Sequence, residues 1–425
     1  MAIVGAGWAG LAAAVRATQA GHHVTLFEMA YHVGGRARTV DHDGKPLDNG
    51  QHILIGAYRE TLDLMRTVGV DPDTVLHRRP LALLDPNGRG LALPAGTPVP
   101  AFVRGVLSMS TWPLRERWAL LRTMFAWRLA GFMAPDDQTV ATLTRGLPPR
   151  ARERLTDPLC VAALNTPAEQ ASAQVFLRVL RDALFSGHGS ADLMLPRVSL
   201  SELFPAPALR WLDTHGIEWF AGTKVDQVAR ELDAWTVAGR AFDAVVLACT
   251  PTQAARLSAP HAPDWSRTAA AFSYEPIVTV YLSSLGTRWP QPMTTLTADP
   301  GKPAQFAFDL GALDAHGSRS GLFAFVVSGA RAWVDKGLDT TADAVLAQAR
   351  VDFPADAWAQ PPRLVRVLAE RRATFLCTPG LRRPPSHVAP GLAAAGDYVD
   401  GPYPATLEGT VRSASAALDR LGLAR

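Results

Sequence analysis

The chain opens on a short apolar run, Ala2-Ile3-Val4, which stops at a turn carrying Gly5, Gly7 and Gly10 and gives way to the Ala-rich LAAAVRATQAG, closed by Gly21. The apolar run predicts a buried strand, and the Ala-rich segment with its glycine stop predicts a helix ended by a C-cap. HVTLFE predicts a second buried strand, ending at Glu28. Much later, GIEWFAGTKVDQVARELDAWTVAGRAFDAVVLACTP alternates short strands with turns, KVDQV among them, and ends in a buried run at 244–248. PIVTVYL at 276–282 and LFAFVVSGA at 322–330 read as strands of a second sheet, and 339–350 and 408–421 as helices. Before the last helix, GLAAAGD predicts an apolar strand ending at Gly396 and Asp397, then a Gly/Pro turn, with Thr406 placed to cap a helix that starts at Leu407. Proline-rich stretches at 94–100, 205–207, 260–263 and 384–390 mark boundary loops.

One segment breaks the pattern. Between 101 and 134 stand Arg104, Arg115, Arg117, Arg122 and Arg128 with a single acid, Glu116, and Trp112, Trp118, Phe125, Trp127 and Phe132 are interleaved among them. On a helical wheel Trp118, Leu121, Phe125, Leu129 and Phe132 share a face, while Leu120, Met124 and Trp127 cover much of the other. A basic helix that is apolar on two sides fits a membrane interface, and equally a helix packed on both sides with snorkelling arginines.

The first fifty residues carry the clearest chemistry. Strand, glycine turn, helix and second strand with an acid 18 residues after Gly10 make up a dinucleotide-binding fingerprint. In it Gly5 makes the tight turn, Gly7 lets the backbone approach a pyrophosphate, Gly10 lets the helix pack close to the strand, and Glu28 accepts from ribose hydroxyls. Gly34, Gly35 and Arg36 follow, a second glycine pair that frees backbone N–H groups for an anion beside a forked cationic side chain. Asp397, after a strand and before a helix N-terminus, suits a polyol chain, with backbone N–H groups at the helix start facing an electron-rich ring edge.

Composition narrows the class. At 425 residues the chain is long enough for two to three domains, and with 48% hydrophobic and 19% charged residues it is short of charge against an average of about 25%. A net charge of +3 with no long basic run argues against a nucleic-acid partner. Cys160, Cys249 and Cys377 offer neither a disulfide framework nor a metal site, as expected in a reducing compartment. No basic stretch precedes the apolar N-terminus and no long uncharged apolar window occurs, so the protein is expected to be unprocessed and cytoplasmic, with peripheral contact at the inner face of a membrane left open.

GAGWAG with Glu28, GGRAR at 34–38, GTKVDQV with FDAVVLACTP, and AAGDYVDGPYPATLEG together resemble the FAD-dependent flavin amine oxidase and phytoene desaturase superfamily. DNGQHILIGAYRETL at 48–62, PLCVAALNTPAEQASAQVFLRVLRD at 158–182, LMLPRVSLSELFP at 193–205 and ERRATFLCTP at 370–379 are similar to its hydroxysqualene dehydroxylase branch. The resemblance implies an α/β fold in which a Rossmann-like FAD-binding domain (1–80, 206–260 and 388–425) is interleaved with an α+β substrate domain (81–205 and 261–387). It also implies FAD as cofactor, held at Gly5, Gly7, Gly10, Glu28, Gly34, Gly35, Arg36, Val225 through its backbone, Gly396, Asp397, Thr406 and Leu407. One departure stands out, since relatives usually carry an Arg between the ribose-binding acid and the double glycine, where this chain has Met29 to Val33. The implied substrate is a long apolar isoprenoid, hydroxysqualene, reductively dehydroxylated to squalene with electrons from an external donor that the sequence does not name. His52 and Asp48 are the candidate acids, each readable instead as a loop-fixing residue. The alternatives are a carotenoid or squalene desaturase, an amine oxidase and a lipid-binding escort without redox chemistry. Amine oxidation is disfavoured because Tyr403 fills only half of the usual aromatic pair, Thr406 standing in the other place, and no lysine lies between Lys224 and Lys302.

Overall fold

The computed structural model describes residues 1–314 and 316–423. Its central sheet has six strands in the order Glu218–Phe220, Thr25–Phe27, Ala2–Val4, Val245–Leu247, Leu392–Ala394 and His387–Ala389, the first five parallel and the last antiparallel. Ile3 stands between Leu26 on one side and Val246 on the other, all three fully buried, which is why these strands read as continuous apolar runs. The helix Trp8–Gln19 crosses back over the sheet and buries Leu11, Val15 and its alanines against the helices Pro205–Thr214 and Leu407–Arg420. Small side chains on this helix let its backbone lie close to the strands.

A second sheet is antiparallel, in the order Met293–Thr295, Phe306–Asp309, Leu322–Val327, Tyr274–Ser283 and Arg363–Phe375. One face is closed by Trp289, Phe323, Phe353 and Trp358, with Trp289 and Phe353 stacked at 4.2 Å, and by the helix Leu338–Asp352. The opposite face carries Tyr281, Phe306 and Phe308 toward Leu47, Leu193 and Leu195.

Three details depart from the pattern read in the sequence. KVDQV is no strand: residues 223–227 run unpaired and the strand begins at Val228. Leu54–Ile55 and Leu76–Arg79, inside the stretch 1–80, pair with Leu193–Pro196 in a separate three-stranded sheet. The arginine-rich segment is not one helix but two, Pro98–Ser108, which ends where Met109 leaves helical geometry, and Leu114–Leu129, which starts at the N-cap Pro113 and stops three residues before Phe132. Phe132 therefore leaves the face it shares on a continuous wheel; it lies beyond the second helix at φ 56° and is buried. No described helix is long and apolar enough to cross a membrane.

Candidate active site

Parallel strands all end on one edge of their sheet, and ligands of such sheets sit beyond the carboxyl ends, where neighbouring crossovers part. Here that edge collects the 5–10 turn after Ala2–Val4, Glu28 after Thr25–Phe27, Ala248 after Val245–Leu247 and Gly396-Asp397 after Leu392–Ala394. Gly5 takes φ 107°, and a Cβ on Gly10 would stand 1.8 Å from the Gly5 carbonyl oxygen, so no side chain fits where the helix meets the turn. Gly7 caps the helix Trp8–Gln19 with no side-chain bond, leaving its first N–H groups open to an anion.

The second glycine loop is stitched to the first. Gly34 donates to the Ala6 carbonyl at 2.9 Å and bridges Gly7, and a Cβ on Gly35 would meet Gly7 Cα at 3.2 Å. Glu28 Oε2 accepts from Ala6 N–H at 2.7 Å and Oε1 from Ala30 N–H at 2.9 Å, which fixes the carboxylate over the turn. From the far end of the chain comes Asp397, whose Oδ1 accepts from Arg36 Nη2 at 2.6 Å; Arg36 Nη1 also donates to the carbonyls of Arg372 at 3.1 Å and Ala373 at 2.8 Å. Burial works against the Arg36 charge but the carboxylate outweighs it, and the guanidinium pKa is raised.

At the C-terminal helix, Thr406 Oγ1 accepts from Gly409 N–H at 3.0 Å, the cap its sequence position predicts, while the N–H groups of Leu407 and Glu408 make no hydrogen bond among the described residues. Ala405, just before the cap, is held in the left-handed region at φ 56° and donates to the Asp397 carbonyl at 3.2 Å. The Val225 carbonyl is taken by Gln253 at 3.2 Å and Arg256 at 3.1 Å, leaving its N–H as the free backbone group.

These features meet the profile of the flavin containing amine oxidoreductases, which the chain matches over residues 8–421. The chain belongs to that family. Members are FAD-dependent oxidoreductases, and this one is such an enzyme. Over 444 residues it is 27% identical to the hydroxysqualene dehydroxylase of Rhodopseudomonas palustris, covering 98% of this chain and 97% of that one. It is 24% identical to the 15-cis-phytoene desaturase of Capsicum annuum over 97% of this chain and 75% of that one. The crystal structure of an oxidoreductase from Methanosarcina mazei superposes with a TM-score of 0.74 at 15% identity, covering 98% of this chain and 99% of that one.

The residues fit the family's cofactor. Two glycine loops approach each other so closely that a Cβ on Gly35 would stand 3.2 Å from Gly7 Cα, an open helix N-terminus and Arg36 suit the negative charge of a pyrophosphate, and Glu28 stands over the turn as a ribose acceptor would. The N–H groups of Leu407 and Glu408, without a hydrogen bond among the described residues, give the C-terminal helix a second positive end.

Between the cradle and the antiparallel sheet runs the loop 48–52. Asn49 Nδ2 donates to the Arg36 carbonyl at 3.2 Å and to Glu370 Oε2 at 3.1 Å; Gln51 Nε2 donates to the Tyr281 hydroxyl at 3.0 Å, which donates to the Asp48 carbonyl at 2.7 Å. Asp48 Oδ1 accepts from the Thr39 hydroxyl at 2.7 Å and from Leu200 N–H at 2.9 Å. Burial raises the Asp48 pKa, these donors oppose the rise, and the carboxylate is committed to holding the loop. His52 Nδ1 lies 3.2 Å from the Gly50 carbonyl, and burial, with Arg36 nearby, lowers its pKa. That direction favours the neutral imidazole. Asn49, Gln51, Tyr281 and Glu370 are joined only by the fold, Gln51 and Tyr281 being 230 residues apart, and no local pattern in the sequence marks them.

Proposed function

We propose that this enzyme reductively removes the hydroxyl of hydroxysqualene to give squalene and water. End-to-end similarity to a hydroxysqualene dehydroxylase carries the reading, and the cradle built from both ends of the chain supports it. One C–O bond breaks and one C–H bond forms: the hydroxyl takes up a proton and leaves as water, the adjacent double bond spreads the positive charge, and a hydride reaches the allylic carbon. Bound reduced FAD supplies that hydride.

This chain's residues do the rest. Backbone N–H groups of Gly7 and Gly35, with Arg36, would hold the pyrophosphate, Gly34 N–H being spent on tying its loop to Ala6; Glu28 would hold the ribose, Val225 N–H the adenine, and Gly396 with Asp397 the ribityl side. Thr406 caps the helix start and leaves Leu407 N–H without a partner among the described residues, which would offer a donor to the flavin. A neutral His52 with Nδ1–H bonded to Gly50 presents Nε2 as an acceptor, suited to orient the substrate hydroxyl, and the bonded loop 48–52 closes that side to water. An apolar C30 substrate resides in lipid, so the enzyme works at the cytoplasmic face of a membrane.

Similarity to a phytoene desaturase over nearly the whole chain favours one second reading, the same parts run in the oxidative direction. Product analysis separates the two. Purified protein, reduced under anaerobic conditions and given hydroxysqualene, should form squalene; squalene left intact by the oxidised protein agrees with this. Unchanged hydroxysqualene, together with dehydrogenated squalene from the oxidised protein, would replace the proposal with the desaturase.

A further inference from the structure

The helix Leu114–Leu129 is apolar on two faces. Leu120, Met124 and Trp127, at i, i+4 and i+7, are buried against the protein; Trp118, Phe125 and Leu129, at i, i+7 and i+11, point away from it and are 62%, 61% and 74% exposed. Leu114 and Met133 extend this outer row at either end, at 64% and 66%. Water is a poor neighbour for so continuous an apolar stripe, and exposed stripes of this kind mark a partner. Between this helix and Pro98–Ser108 lies a groove of about 620 Å³, lined by Val99, Phe102, Val103, Leu121, Phe125 and Phe185 and rimmed by Arg115, Arg122 and Arg128. Arg104 is exposed on the first helix. The one acid of the segment, Glu116, is turned to Arg150 at 3.9 Å, so among the described residues no carboxylate neutralises these four arginines.

We infer that this helical hairpin is a docking surface for an anionic lipid bilayer, with the outer row immersed at the interface, the arginines on the headgroups and the groove open to the acyl chains. Charge decides the occupant. A second copy of the chain would bring the same arginine set face to face across a two-fold axis, with no acid on either side to answer it. An anionic leaflet supplies both missing partners, apolar depth for the aromatics and negative charge for the guanidiniums. The inference concerns binding alone and does not depend on the reaction proposed above.

Flotation of the FAD-loaded enzyme with vesicles tests it. Protein should float with phosphatidylcholine vesicles carrying a one-third share of phosphatidylglycerol, and far less with phosphatidylcholine alone. The triple variant Trp118→Ser, Phe125→Ser, Leu129→Ser should lose at least tenfold in affinity for the anionic vesicles. Arg115→Gln, Arg122→Gln, Arg128→Gln together should lose on the order of a hundredfold and with it the preference for phosphatidylglycerol. All six side chains are outside the core, so flavin content and melting temperature stay at the parent values; a variant that loses its flavin is replaced by the corresponding single substitutions. No flotation of the parent enzyme, or flotation that both triple variants retain, would overturn the inference. A dimer that the serine variant abolishes, with no lipid binding by the parent, would give the face to a second copy.

Discussion

The cradle at the carboxyl edge of the parallel sheet and the loop 48–52 touch through Arg36 and Asn49, yet they are held in opposite ways. In the cradle most of the work falls to backbone: glycines that keep two turns in contact, two open helix starts, and only Glu28, Arg36 and Asp397 as polar side chains. In the loop it falls to side chains reaching across long sequence distances, Asn49 to Glu370 and Gln51 to Tyr281. A backbone-built site tolerates almost any neighbour but no added atom at its glycines. A side-chain-built one tolerates small backbone shifts but depends on every partner. The first suits a cofactor common to a family, and the second suits the part that distinguishes one substrate from another.

Breaking the cradle should have the largest effect. Gly10→Val puts side-chain atoms where even a Cβ is 1.8 Å from a carbonyl oxygen, and should cost more than about 3 kcal/mol, with soluble protein, if any, purified free of flavin; circular-dichroism melting and the flavin-to-protein absorbance ratio check this. Next comes Asp397→Ala, which leaves the partly buried Arg36 without its carboxylate. Its FAD dissociation constant should rise at least tenfold, about 1.4 kcal/mol, measured by titration of the apoprotein, while the far-ultraviolet spectrum is unchanged.

The loop should answer differently. Tyr281→Phe unpairs Gln51 and the Asp48 carbonyl at a cost of about 1–3 kcal/mol in stability, with flavin content kept and turnover lowered. Loss of flavin in this variant would erase the distinction between the two regions. The smallest effect belongs to His52. Its pKa in the folded protein lies below the unfolded value of 6.5, so the unfolded chain binds the extra proton and stability falls as the pH drops through that value and below. His52→Gln should flatten this acid-side slope in denaturant titrations between neutral and mildly acidic pH and leave stability at neutral pH nearly unchanged.

The same contrast explains what could be read from the residues in order. Gly5, Gly7, Gly10 and Glu28 lie within one βαβ unit, and their spacing is dictated by strand, turn and helix lengths, so local pattern suffices. Thr406 declares itself as a cap because capping is also local. The Arg36–Asp397 pair joins positions 361 apart, and nothing in either neighbourhood announces the other. His52 was legible as a chemical residue but not as a neutral one, because its pKa follows from burial and from Arg36, both products of the fold. In the arginine-rich segment the pattern left two readings open, and packing divided them: Leu120, Met124 and Trp127 take the inner face, and Trp118, Phe125 and Leu129 keep the outer one.

A flavin held by the glycine loops, Arg36 and Asp397 would supply the hydride that the proposed dehydroxylation needs. One single-turnover measurement tests it most directly. Anaerobically reduced enzyme is mixed with hydroxysqualene in detergent, the flavin's visible absorbance is followed, and squalene is quantified in the same sample. The account predicts that the absorbance of oxidised flavin returns and that squalene appears in equal amount. A flavin that stays reduced, with the alcohol recovered unchanged, would contradict it.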